Sequence, residues 1–102
     1  MEITVSAASG NATIDIIGRF DFSAHRGFKE AYDPQLGNGD ISTITINLSA
    51  VDYMDSSALG MLLMLRDRAL AANKTVILSR PNRTVTQILD IANFTKLFKI
   101  QN

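Results

Sequence analysis

Apolar and polar positions alternate along several stretches of the chain, and each alternation predicts a strand. "ITVSA" (3–7) alternates weakly and reads as an edge strand, while "ATIDIIG" (12–18) is rich in β-branched residues. The turn signal "SGN" (9–11) between them predicts an antiparallel hairpin. "ISTITINLS" (41–49) carries Ile44, Ile46 and Leu48 at every second position, and "KTVILS" (74–79) is apolar enough to lie inside a sheet. "LFKI" (97–100) predicts a last short strand. Three other stretches change period. Ser23 is placed to cap a short helix through Tyr32, with Phe28 and Tyr32 four apart on one side, before the loop "DPQLGNGD" (33–40). Residues 57–72 form the strongest helical pattern, and Asn82 or Thr84 starts another that reaches Ala92.

The order is strand, strand, helix, strand, helix, strand, helix, short strand. It predicts an α/β fold with a mixed central sheet of about four or five strands, parallel where helices connect them. No repeat or linker divides residues 1–102, so a single domain is expected. Composition narrows the function. Ten basic residues balance ten acidic ones, which argues against nucleic-acid binding and against electrostatic attachment to a membrane. With no cysteine there is no thiol chemistry and no cysteine-held metal. The stretch "MEITVSAASG" lacks a basic segment followed by an apolar one, and the longest apolar run (58–65) is too short to span a bilayer. A cytoplasmic protein acting as a monomer, without cofactor or metal, is the expectation.

Candidate chemistry concentrates in "DYMDSSALG" (52–60), at the carboxyl end of the strand over 43–48. Ligands gather at that edge in open α/β sheets. A nucleophile elbow needs glycines where Met54 and Ala58 stand, and the sole histidine, His25, is distant in sequence. A phosphate-binding loop needs glycines the segment lacks. Asp52 and Asp55 have no histidine beside them to complete a metal site. What remains is a helix start, for which Asp55, Ser56 and Ser57 are all suitable caps, or a helix start whose serine is modified.

The residues themselves point further. "VDYMDSSALGMLLMLRDRA" (51–69) resembles the signature segment of STAS domains, the bacterial anti-sigma factor antagonists. "IIGRFDFSAH" (16–25) is similar to that family's Gly-x-x-Asp turn after the second strand, and "RTVTQILDIANFTKLFKI" (83–100) to its late helix and short apolar segment. The wording is especially like gammaproteobacterial members that switch between motility and surface growth. The resemblance implies a non-enzymatic protein whose partner is an anti-sigma factor with serine kinase activity. It implies phosphorylation at Ser56, with Ser57 as runner-up, reversed by a PP2C-type phosphatase. Ala58, where many members carry glycine, is a departure. Members without a phosphorylatable serine are scaffold or transporter subunits, and that alternative stays open.

The helix after the serines adds a surface. At about 100° per residue, Ala58, Leu59, Leu62, Leu65, Ala69 and Leu70 share a core face, opposite Gly60, Met64, Asp67 and Arg68. Met64 is then either an ordinary exposed apolar residue or a contact. Asp21, Asp55, Ser57, Gly60 and Met64 are the candidate partner-binding residues. Asp21 has a second reading, as a brace for the turn to Ser23. Phe20 and Phe22 flank Asp21, so one of the two is expected to point outward. The run Arg66–Asp67–Arg68 reads as a solvated face.

Overall fold

The computed structural model describes residues 2–102. Strands β1 (Glu2–Ala8) and β2 (Asn11–Phe20) form the expected antiparallel hairpin, turned by Ser9 and Gly10 at φ 53° and 80°. Positive φ at both turn positions matches the right-handed twist of the strands. A single 3-10 turn at Phe22–Ala24 leads into helix α1 (His25–Leu36). Then follow β3 (Thr43–Met54), α2 (Ser56–Ala71), β4 (Thr75–Ser79), α3 (Arg83–Ile91), a 3-10 turn at Phe94–Lys96 and β5 (Lys99–Gln101).

The five strands lie in chain order, β1-β2-β3-β4-β5, and every pair after the hairpin is parallel. Right-handed crossovers in a sheet that grows in one direction put all three helices on the same face. That face is apolar: the register aligns Ile14, Ile46 and Leu78, all fully buried, on three neighbouring strands. The opposite face is polar, and its groups bond to one another. Thr45 donates to Asn11 at 2.8 Å and the Asn47 amide to Asp15 at 2.7 Å.

Four expectations need correction. The first helix does not stop at Tyr32 but runs to Leu36 through Pro34. A proline there removes one N–H, and the carbonyl it would have bonded belongs to Glu30, an exposed residue on the solvent side of the helix. β2 and β3 are longer than their alternation suggested, ending at Phe20 and Met54. Gly18, at φ 94°, absorbs a bulge that would otherwise end the pairing, so Arg19 still aligns with Tyr53 and Phe20 with Met54. In α2, Leu70, expected on the core face, is 57% exposed, and the core takes Met61 instead. Finally, Arg66 and Arg68 are engaged rather than merely solvated. Arg66 Nε donates to the Leu97 carbonyl at 2.8 Å, and Arg68 makes an ion-pair contact with Asp33 at 3.0 Å.

Lys74 lies outside β4, buried at the end of the α2–β4 connection. Its ammonium donates to the carbonyls of Asn38 and Ile41 at 2.9 and 2.5 Å, which holds the loop before β3 in place.

Candidate functional site

The candidate residues lie where two neighbouring strands end. Because Phe20 is aligned with Met54, the next residues, Asp21 and Asp55, leave the sheet side by side in chain register. Each then does the same local job. Asp21, in extended conformation, accepts hydrogen bonds from the backbone N–H of Ser23 at 3.0 Å and from the Ser23 hydroxyl. Asp55, also extended, accepts from the backbone N–H of Ala58 at 3.1 Å and is the N-cap of α2. Both geometries satisfy N–H groups that a helix start leaves without partners.

This settles the capping question that the sequence left open among three residues. Asp55 is the cap, and Ser56 is the first residue of the helix. The Ser56 side chain is exposed, whereas Ser57 is half-buried and Ala58 wholly buried. Ala58, the departure from the family pattern, thus packs into the core as the first apolar residue of α2.

Asp21 carries the one clear electrostatic signature here. The Ser23 hydroxyl holds the Asp21 carboxyl below the ordinary carboxylate value; desolvation, next in size, opposes it, and the Ser23 backbone N–H and the Arg19 guanidinium add smaller lowering effects. Arg19 Nε sits 3.4 Å from Asp21, and its guanidinium lies 4.1 Å from the centre of the Tyr53 ring. The strand alignment of Arg19 with Tyr53 explains that stacking.

Two apolar side chains lie on this surface. Of the pair flanking Asp21, Phe20 is fully buried and Phe22 is 69% exposed, its ring stacked on His25 at 5.6 Å. The alternation around Asp21 had pointed to one outward aromatic, but only packing of Phe20 against Phe28 decides which. Met64 is 49% exposed, two turns along α2 from Ser56. Gly60 is exposed too, and a Cβ added there meets nothing within 4 Å beyond its own turn of helix. Asp52 is exposed on β3, just before the site.

The topology gives this edge a flat shape. In doubly wound sheets a crevice opens where strand order reverses, and here the order never reverses. At the carboxyl edge singled out from the sequence, the structure therefore offers a surface rather than a crevice. Three hollows among the described residues are lined by other residues than Ser56. Asn82 fixes the surface from the far side, its amide donating to the Val51 carbonyl at 2.6 Å while its side-chain oxygen caps α3. Sequence reading placed Asn82 only as a cap; its bond to β3 links residues far apart in the chain and left no local signal.

Comparison with known proteins agrees with this architecture. The family description "STAS domain" matches residues 2–102. A STAS-domain containing protein of Pseudomonas aeruginosa (strain UCBPP-PA14), PA14_20770, is 44% identical over 95 residues, covering 93% of this chain and 92% of that one. The Bacillus anti-sigma factor antagonist SpoIIAA in its unphosphorylated form superposes with a TM-score of 0.78 at 20% identity, over 99% of this chain and 88% of that one. Its phosphorylated form gives 0.76 at 19% identity, over 99% and 92%. The STAS domain of a SulP transporter from Vibrio cholerae gives 0.74 at 20% identity, over 95% and 77%. At such identities the structural likenesses speak for the fold, and the match along the sequence speaks for the family: this chain belongs to the STAS domain family.

Proposed function

We propose that the chain is a non-enzymatic, cytoplasmic anti-sigma factor antagonist whose binding is switched by phosphorylation of Ser56. Unmodified, it occupies an anti-sigma factor that is also a serine kinase. Phosphorylated, it releases that partner, and a PP2C-type phosphatase restores it.

The observation that carries this reading is the division of labour between Asp55 and Ser56. Asp55 caps the helix, so the Ser56 hydroxyl is not needed for folding and stands exposed for a kinase. A phosphate on the first helical residue meets the free N–H groups and positive end of α2, which the fold tolerates. Outward, it adds a charge of about −1.5 to −2 beside Asp55 and near Asp21, whose carboxyl pKa is lowered. A partner seated over Met64, Gly60 and Ser57 then meets repulsion while the domain remains folded. SpoIIAA, similar in fold, exists in both unphosphorylated and phosphorylated forms, which further supports the reading.

The test is intact-mass and peptide analysis of protein recovered from cells, together with calorimetric titration of the captured partner. Phosphate on Ser56, absent from Ser56→Ala, with weaker partner binding by the phosphorylated form, is the expected result. No phosphate under any condition, with a stable partner indifferent to Ser56, would give the chain instead the role of a scaffold subunit.

A further inference from the structure

We propose that the outer edge of β1 is a self-association surface, on which a second copy of this chain pairs antiparallel to form a symmetric dimer. The proposal is independent of Ser56, and it replaces the monomer expected from the sequence.

An edge strand presents a row of unpaired N–H and C=O groups, and proteins that stay apart usually blunt it with lysine, proline, a bulge or extreme shortness. The two edges of this sheet differ in that respect. β5 has three residues and begins with Lys99. β1 has seven, "EITVSAA", with no lysine, arginine or proline, and its single charge is Glu2 at the end. It pairs with β2 through seven successive partners without a register shift, the irregularities of the sheet lying between β2 and β3. β1 is therefore long, regular and nearly uncharged along its outer side.

The sequence of β1 also selects its occupant. An antiparallel pairing of two copies over the whole strand is centred on Val5. It sets Val5 against Val5 of the second copy, Thr4 against Ser6, Ile3 against Ala7 and Glu2 against Ala8. Along the paired strands no like charges face each other, hydroxyls meet on one face and apolar groups on the other, which is favourable cross-strand pairing. On the helix side, Val5 is 41% exposed and borders a hollow of about 450 Å³ with Ile3, Gly27 and Ala31, with the exposed Glu30 also in its wall. The twofold axis joins the two hollows into one seam between the α1 helices, apolar along Ile3, Val5 and Ala31 and carrying Glu30 of each copy, whose long side chain reaches water. Pairing of β1 with β5 of another copy would instead build an open chain of molecules, and the short, lysine-bearing β5 is a poor template for it. The closed dimer is favoured.

The experiment uses the full chain. Sedimentation equilibrium from micromolar to millimolar concentration should show the mass rising from 11.2 kDa towards twice that value. Val5→Lys should keep the wild-type melting curve and stay at the monomer mass. Because the chain has no cysteine, Val5→Cys offers a geometric check: directly opposed residues of antiparallel strands lie about 4.5–5.5 Å apart, within disulfide range. Mild oxidation should link Val5→Cys into a dimer and leave Thr95→Cys, exposed near β5, unlinked. The proposal is overturned if the wild-type mass stays fixed up to millimolar concentration, including the case where β1 receives a strand of another protein. It is overturned too if Val5→Lys associates like the wild type, or if the two cysteine variants link equally.

Discussion

The Asp55 carboxylate accepts the backbone N–H of Ala58 at 3.1 Å, across the two serines that lie between them. Loss of an N-cap side chain costs about 0.5–2 kcal/mol, so Asp55→Ala should lower the unfolding free energy by that amount. Ser56→Ala, one residue further and exposed, should change it by no more than about 0.5 kcal/mol. Urea denaturation of both variants checks the contrast, and equal losses would mean that Ser56 shares the capping.

Gly60 and Met64 separate stability from binding. Gly60 sits in the interior of α2 with room for a methyl group, so Gly60→Ala should stabilise the domain by about 0.5–1 kcal/mol. Met64→Arg, on an exposed position, should leave the melting temperature nearly unchanged, because surface substitutions usually stay within about 0.5 kcal/mol. Both should weaken partner binding in titration calorimetry. Full affinity in both variants would remove this face of α2 from the partner contact.

Ser56→Asp tests the switch without a kinase. A negative charge in the first turn of a helix is worth about 0.3–1 kcal/mol, so the variant should melt no lower than Ser56→Ala at low salt. Like charges set together at an interface weaken association. A loss of about 1–3 kcal/mol corresponds to roughly five- to 150-fold in affinity, the range expected for a mimic with less charge than phosphate. If both this variant and the phosphorylated protein bind as tightly as the unmodified chain, the switch does not operate.

Asp21 should leave a trace in the acid limb of the stability curve. Its pKa is lowered in the folded state from 3.8, chiefly by the Ser23 hydroxyl. A depressed carboxylate stabilises the fold above its unfolded value, and this contribution disappears as pH falls through the folded one. Asp21→Asn should therefore melt lower than wild type at neutral pH, with the two curves converging in acid below the ordinary carboxylate range. Curves that run parallel throughout would show that the ionised form adds nothing.

The central parts of the strands were legible because Ile44, Ile46 and Leu48 alternate without interruption, and so was the hairpin at Ser9–Gly10. Strand ends were not. Arg19 and Tyr53 extend their strands because they meet each other across the sheet, a relation between residues 34 positions apart. The phase of α2 was only partly readable. Residues 61–65 are all apolar, so several wheel settings bury a plausible face, and the packing of Met61 rather than Leu70 decided among them. At the site, "DSS" signalled a helix start, but three consecutive good caps carry no local rank. The extended backbone of Asp55 at the end of β3 supplied it.

The chain-order sheet has a consequence for how the protein is made. Each strand docks beside the one synthesised just before it, and none is inserted between two earlier ones. Assembly can therefore add each strand to an exposed edge, without opening a pair already made. The register that sets Asp55 next to Asp21 lies wholly within β2 and β3, and β4 and β5 widen the sheet on the far side. A chain ending after Ala71 thus contains every residue of the strand-end alignments behind Ser56, while one ending before Thr43 lacks the β3 half of each.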